Sequence, residues 1–242
     1  MTIPARRYLS LILTVFLVGC NPAEGNHPWL SELDAGAEVI HSGARLVALP
    51  EGLHALEQTT DATEMLIAVH GYDSRGYEWV YPLKTLDTPS ISTWFFRWNY
   101  QRCPQPAAKQ LREAIRAVLG PQIQTIHLIG HSYGGVLLAD VLADWSMDVP
   151  LQIHIIASPL AGMSSSNKCA YAPPASIARN ISVFEWRTRH KLDGAFKGLA
   201  VDPQVIALPG STVTRLPEEY NGNRLGHNRS LSWVADRIVD AR

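Results

Sequence analysis

Short runs of apolar residues alternate with amphipathic segments along most of the chain. Uninterrupted apolar runs are typical of strands that are buried on both faces of a sheet. Segments whose apolar residues recur every third or fourth position are typical of helices that pack by one face. From residue 65 onward the two kinds of segment alternate, which predicts a mostly parallel sheet with helices on both faces.

The strands are predicted at residues 65–69, 93–98, 125–129, 151–157, 181–186 and 211–216. The helices are predicted at residues 77–86, 104–119, 136–145 and 229–239. Ahead of them, residues 38–41 and 45–49 flank Ser42-Gly43, which predicts an antiparallel hairpin at the sheet edge. Residues 51–63 are predicted to be a connector.

Composition fits a single α/β domain. The chain has 242 residues, of which 46% are hydrophobic and 18% charged, enough to bury a full-sized core. Its formal net charge of −1 gives no support for nucleic acid as a partner.

The most informative motif follows the strand predicted at residues 125–129. Residues 130–135 read GHSYGG and lead directly into a helix. Strand, G-x-S-x-G and helix are the context of a nucleophile elbow, a turn so tight that the serine backbone is strained. Gly130 and Gly134 lack the β-carbons that would collide there, and Ser132 is the candidate nucleophile. The alternative is a glycine-rich turn whose serine only caps the helix.

A serine hydroxyl needs a base, and that base needs an acid to orient it. Downstream of Ser132 the candidate bases are His154, His190 and His227. His227 is favoured because it lies in a polar loop between the last strand and the last helix. His154 lies inside a predicted strand, and His190 lies among basic residues.

The candidate acid is Asp193, with Asp202 and Glu185 as alternatives. Asp193 follows the strand that ends at residue 186, and catalytic groups of open parallel sheets gather at the carboxyl ends of strands. The oxyanion of acyl transfer needs two N–H donors. We expect them from Tyr133, next to the nucleophile, and from Tyr72, in the loop after residues 65–69.

These motifs resemble those of the α/β-hydrolases, in particular the lipase and esterase branch. The resemblance runs from residue 65 to the end of the chain and is carried by HGY at residues 70–72, GHSYGG at 130–135, ASPLAG at 157–162 and LGHN at 225–228. It implies one hydrolase domain over residues 32–242 and cleavage of a small-molecule or lipid ester through an acyl-enzyme. It implies neither a metal nor another cofactor.

Two other functions stay open from the sequence. The same Ser-His-Asp set could serve an amidase, a peptidase or an acyltransferase. Alternatively, the chain could be a non-catalytic envelope protein on a hydrolase scaffold.

The N-terminus has the pattern of a targeting segment. Arg6 and Arg7 precede an apolar run at residues 9–18, too short to span a membrane, and residues 17–20 read LVGC. This resembles the lipobox of bacterial lipoprotein precursors and implies a signal peptide at residues 1–19, an acylated Cys20 and a tether over residues 20–31. Asn21, rather than Asp, favours the outer membrane of a bacterial envelope. An ordinary secretory signal is the alternative.

The two remaining cysteines are Cys103 and Cys169. Under the implied envelope location the compartment is oxidising, which favours a disulfide between them. In the implied fold both lie in loops at the edge of the sheet that holds the site, so we expect the bond to strap the mouth of that site.

Overall fold

The computed structural model describes residues 27–163 and 168–242. The predicted signal peptide, Cys20 and most of the tether therefore lie outside the described residues. Within the described ranges, none of the helices has the length and apolar character needed to cross a bilayer.

A seven-stranded sheet forms the centre of the molecule, with strand order β1-β3-β2-β4-β5-β6-β7. Every neighbouring pair is parallel except β1 and β3, which are antiparallel. The strands are β1 (Gly52–Ala55), β2 (Glu64–Val69), β3 (Ile91–Arg97), β4 (Thr125–His131), β5 (Leu151–Ile156), β6 (Ile181–Arg187) and β7 (Thr212–Arg215). A separate hairpin pairs β8 (Glu219–Tyr220) with β9 (Asn223–Arg224).

Helices cover both faces of this sheet, as the alternating pattern predicted. They are α1 (Val39–Ala48), α2 (Tyr77–Leu86), α3 (Pro104–Val118), α4 (Tyr133–Ala143) and α5 (Arg229–Asp240). Side chains of α3 and α4 join one hydrophobic cluster, and side chains of α1, α2 and α5 join another on the opposite face. The predicted fold class, a mostly parallel sheet with helices on both faces, is confirmed.

The predicted hairpin around Ser42-Gly43 is wrong, because this segment forms helix α1. Its buried residues Ser42, Gly43 and Leu46 recur at helical spacing. Gly43 is needed for close packing rather than for a turn: a β-carbon there would lie 2.1 Å from the backbone nitrogen of Tyr77 at the start of α2. The antiparallel edge strand is instead β1, in the segment predicted to be a connector.

The strand register brings the carboxyl ends of four parallel strands to one edge. Val69 at the end of β2 pairs with Gly130 of β4, and Ile156 at the end of β5 pairs with His131 of β4. Ile156 also pairs with Trp186 of β6 on its other side. The loops that leave these strands therefore start side by side, and they contain the candidate nucleophile, acid and oxyanion donors.

Candidate active site

Ser132 lies at the junction between β4 and α4, in the conformation that a nucleophile elbow requires. Its φ is 54° and its ψ is −123°, a strained backbone for a residue with a side chain. A β-carbon on Gly130 would lie 2.8 Å from the carbonyl oxygen of Gly134, and one on Gly134 would lie 2.3 Å from the carbonyl oxygen of Val69. Both glycines are therefore required by the close approach of strand and helix.

Asp193 and His227 are brought together across 34 positions of sequence. His227 Nδ1 lies 3.0 Å from Asp193 Oδ2, and Asp193 is completely buried. The same carboxylate accepts hydrogen bonds from Thr188 Oγ1 at 2.5 Å and from the backbone N–H of Ala195 at 2.8 Å. Burial alone would raise the pKa of Asp193, but its hydrogen bonds and the proximity of His227 outweigh burial, so the pKa is lowered.

Because an ionised carboxylate only accepts hydrogen bonds, it fixes the tautomer of the neutral His227 ring. Nδ1 carries the proton that is donated to Asp193, which leaves the Nε2 lone pair as the base. Ser132 and His227 line the same cavity, of about 460 Å³. The fold thus assembles a serine, an imidazole and a carboxylate at one edge of the sheet.

His131 lies inside the nucleophile motif and hydrogen-bonds to the backbone of the loop that contains His227. Its Nε2 donates a hydrogen bond to the His227 carbonyl oxygen at 3.1 Å, and Ser230 Oγ donates to the same oxygen at 2.5 Å. Burial, followed by the nearby His227, lowers the pKa of His131 to about 3, so its ring stays neutral. Sequence reasoning missed this residue, although a histidine directly before the candidate nucleophile was visible.

Gly71 brings the loop after β2 against the nucleophile. A β-carbon at this position would lie 2.8 Å from Ser132 Cβ and 3.4 Å from the backbone nitrogen of Tyr133. No side chain fits there, so the backbone of Gly71 and Tyr72 runs directly beside the N-terminus of α4. Backbone N–H groups at a helix N-terminus stabilise a negative charge that develops near them.

The buried side chain of His70 fixes the orientation of the loop after β2 through hydrogen bonds. Its Nδ1 donates to the Gly71 carbonyl oxygen at 2.9 Å, and its Nε2 accepts hydrogen bonds from Arg97 Nη1 at 2.8 Å and from the Trp98 backbone N–H at 3.3 Å. Burial lowers the pKa of His70 to about 4, so the ring remains neutral while it makes both kinds of bond. A neutral imidazole is needed here because one nitrogen donates and the other accepts.

Apolar side chains form most of the wall of the 460 Å³ cavity. Besides Ser132 and His227, the lining consists of Tyr72, Tyr133, Pro159, Met163, Ala195 and Phe196. The Phe196 ring packs edge-on against His227, with 5.0 Å between ring centroids. Among the described residues no Asp, Glu, Lys or Arg lines this cavity.

A disulfide joins Cys103 and Cys169, as the sequence predicted. Cys103 caps the start of α3, and Cys169 belongs to the segment after β5 that supplies Pro159 and Met163 to the cavity wall. Gln105 Nε2 donates to the Cys169 carbonyl oxygen at 3.3 Å. The covalent bond therefore ties the start of α3 to the segment after β5. Neither cysteine is among the described residues that line the cavity, so the strap across its mouth stays a prediction.

The alternative bases make other contacts. His154 accepts a hydrogen bond from Trp186 Nε1 at 3.1 Å inside the sheet, and His190 Nε2 donates to the Phe196 carbonyl oxygen at 2.8 Å. The alternative acids are paired too, Glu185 with Arg187 and Asp202 with Arg215. No cluster of His, Cys, Asp or Glu among residues 27–163 and 168–242 has an arrangement able to hold a metal ion.

Comparison with known proteins gives similarity in structure only. No family model and no curated protein matches the sequence. The chain is similar to Est1E from Butyrivibrio proteoclasticus, with a TM-score of 0.53, 13% identity and coverage of 78% of this chain and 90% of that one. It is also similar to the type II thioesterase BorB from the borrelidin biosynthetic cluster, with a TM-score of 0.52, 12% identity and coverage of 78% and 95%.

A third similar structure is a lipase-esterase related protein from Clostridium acetobutylicum, with a TM-score of 0.50, 11% identity and coverage of 78% and 98%. In each case almost the whole of the other chain is covered, although few residues are shared. Such likenesses establish how the chain is folded and leave its substrate open. The chain has the α/β-hydrolase fold.

Proposed function

We propose that this protein is a serine hydrolase that cleaves carboxylic esters through an acyl-enzyme on Ser132. The observation that carries the proposal is the 3.0 Å contact between His227 Nδ1 and the buried Asp193 carboxylate, beside a cavity shared by His227 and the strained Ser132. A carboxylate-oriented imidazole next to a serine on an elbow is the arrangement that activates a hydroxyl for acyl transfer.

The proposed reaction has two steps. Ser132 attacks the acyl carbon while His227 Nε2 takes its proton, and the backbone N–H groups of Tyr72 and Tyr133 receive the oxyanion. His227 then gives the proton to the departing alcohol. Water repeats the sequence on the acyl-enzyme, with His227 again as base, and releases the acid. Asp193 stabilises the imidazolium that forms in each step.

The cavity supports an apolar, uncharged acyl group as the part of the substrate next to Ser132. Among the described residues, its lining is aromatic and aliphatic apart from the serine and histidine. An ionised acyl group would lose its hydration there without a charged partner in the described part of the wall, which is costly. Small-molecule and lipid esters of apolar acids both satisfy this requirement.

The N-terminal pattern supports a location in the bacterial envelope, anchored through an acylated Cys20 and most consistent with the outer membrane. The disulfide between Cys103 and Cys169 is in keeping with an oxidising compartment. Globomycin blocks the peptidase that processes lipoprotein precursors, so treated cells should accumulate the unprocessed form. If the size of the protein does not change under globomycin, the anchor is wrong.

Steady-state hydrolysis of 4-nitrophenyl butyrate by purified protein tests the activity. Ser132→Ala should abolish turnover, and Asp193→Asn should lower kcat by about 10³- to 10⁴-fold, because the imidazole tautomer is no longer fixed. Ser146→Ala, which changes an exposed serine just after α4, is the matched control. A butyryl 4-nitroanilide assayed in parallel separates an esterase from an amidase. Undiminished ester turnover by Ser132→Ala would contradict the proposal.

A further inference from the structure

A second cavity shares one lining residue, His227, with the candidate active site. It has a volume of about 720 Å³ and lies between the first turns of α2, the start of α1 and the segment that leads into α5. His227 belongs to the walls of both cavities, whereas Ser132 and Tyr133 line only the first. The two spaces therefore meet at the residue that would deliver a proton to a leaving group.

This arrangement assigns different parts of an ester to the two cavities. The acyl carbon must lie within reach of Ser132 and of the oxyanion donors, so the acyl group belongs in the apolar cavity. The departing oxygen must lie within hydrogen-bond reach of His227. The second cavity, which His227 also lines, is therefore the space that we assign to the rest of the alcohol.

The second cavity differs from the first in charge. Arg224 and Arg229 line it, both are exposed, and neither forms an ion pair with any described residue. Arg229 Nη1 donates to the Arg224 carbonyl oxygen at 3.4 Å, which keeps the two residues together. Asn228 and Tyr77 add a side-chain amide and a hydroxyl, 3.1 Å apart, to the same wall.

Three acidic residues lie at or near this cavity, of which Glu78 belongs to its described lining. Glu78 is the acidic residue of the described lining, but it is only 8% exposed and its Oε1 accepts a hydrogen bond from Ser74 Oγ at 2.5 Å. Asp236 is bound by the hydroxyls of Tyr81 and Tyr220. Glu219 lies opposite Arg224 in the β8–β9 hairpin, without an ion pair to it. Within the described lining, the two unpaired guanidinium groups are therefore the exposed charges.

We infer that this second cavity is a binding site for the alcohol part of the substrate, and that this alcohol carries a carboxylate or a phosphate. Guanidinium groups bind both anions through charge-assisted hydrogen bonds. Combined with the proposed function, on which this inference rests, it defines the substrate as an ester of an apolar acid with an anionic alcohol.

Two butyrate esters with different leaving groups test the inference. One is neutral 4-nitrophenyl butyrate, and the other is 3-carboxy-4-nitrophenyl butyrate, whose product is also coloured. Both give the same acyl-enzyme, and their difference in intrinsic reactivity is the same for every variant. A change in the ratio of their kcat/KM values between variants therefore reports how the protein binds the leaving group. The variants are Arg224→Ala/Arg229→Ala and the control Arg116→Ala/Arg237→Ala, which removes two exposed arginines from the last turns of α3 and α5.

The ratio of charged to neutral ester should fall about tenfold in Arg224→Ala/Arg229→Ala and stay within twofold of wild type in the control. Raising the salt concentration should lower the wild-type ratio, because exposed charges are screened. Inhibition of neutral-ester turnover by glycerol 3-phosphate and by 3-hydroxybutyrate will distinguish a phosphate from a carboxylate preference.

An unchanged ratio in Arg224→Ala/Arg229→Ala, with normal turnover of the neutral ester, would overturn the anionic-alcohol site and leave the proposed hydrolase intact. Absence of turnover with both esters in the wild-type protein would overturn the proposed function, and the inference would fail with it.

Discussion

Replacing His131 probes how the base is held in place. His131→Leu removes the Nε2–H that donates to the His227 carbonyl oxygen at 3.1 Å, while His131→Gln keeps an N–H donor near the same position. Neither variant replaces Ser132, Asp193 or His227, although both remove the ring whose centroid lies 4.6 Å from that of the His227 ring. Both variants lose the buried ring, but only His131→Leu also loses the N–H donor. Their difference therefore measures the effect of the hydrogen bond.

The size of the effect follows from the contacts. The His227 carbonyl retains Ser230 Oγ as a donor, so it is not left unsatisfied, and the lost bond is worth about 1 kcal/mol. A shift of the base by about 1 Å can add as much as 100-fold in rate. We expect kcat/KM of His131→Leu to fall by about ten- to a hundredfold, chiefly through kcat, and that of His131→Gln to fall by less than about threefold.

The stability of the protein in acid gives a second readout. His131→Leu should lower the activity but make the free energy of unfolding less sensitive to acid. The pKa of His131 is lowered from 6.5 to about 3 in the folded protein. Its contribution to stability is therefore present in full above pH 6.5 and is lost as the pH falls toward 3. At pH 5 that loss is about 2 kcal/mol, and His131→Leu should be free of it.

The assays are 4-nitrophenyl butyrate kinetics at pH 8 and urea unfolding at pH 8 and pH 5. The wild-type free energy of unfolding should drop by about 2 kcal/mol more than that of His131→Leu over this pH range. Wild-type kcat in His131→Leu, or an equal loss in the Leu and Gln variants, would refute the idea that His131 positions the base through its N–H.

Three further predictions concern the cavity, the disulfide and the oxyanion loop. In a series of 4-nitrophenyl esters from acetate to hexanoate, kcat/KM should rise about fourfold per methylene until the apolar cavity is filled; a flat series would contradict acyl binding there. Cys103→Ala/Cys169→Ala should lose about 4 kcal/mol of stability, since the closed loop spans 66 positions, and a melting temperature within 2 °C of wild type would count against this. Gly71→Ala should lower kcat more than about 100-fold, because its β-carbon would lie 2.8 Å from Ser132 Cβ; wild-type kcat would show that the loop can move aside.

The central strands could be predicted from the sequence because they are buried on both faces. The run at residues 125–129, TIHLI, is mostly apolar, and strand β4 extends it only to His131. Helix α2 was predicted over its full length, residues 77–86, despite Pro82. In these segments the local pattern and the tertiary environment favour the same structure.

Helix α1 could not be predicted in the same way. Ser42 and Gly43 are usual turn residues, and only the packing of Gly43 against the start of α2 explains why they lie inside a helix. The pattern of a single short segment contains no information about that neighbour. For the same reason β1 was missed: its four residues are only partly buried and pair with β3 along one side.

At the candidate site, the three residues of the proposed triad were easier to predict than the residues that hold them. Ser132, Asp193 and His227 follow from a motif and from the loops at the strand ends, and the fold brings them to one edge. The bond from His131 to the His227 carbonyl spans 96 positions of sequence. Thr188 is held by Gln204, whose Oε1 accepts from the Thr188 backbone N–H at 2.8 Å. These hydrogen bonds depend on tertiary contacts between distant segments, which the local sequence pattern does not predict.

The most direct measurement of the central claim is the site of covalent labelling by a fluorophosphonate. This reagent reacts with serine hydroxyls that an adjacent base has activated. Peptide mapping of the labelled wild-type protein should find the adduct on Ser132, with slower labelling in His227→Ala and none in Ser132→Ala. An adduct on another residue, or labelling that persists in Ser132→Ala, would contradict the account.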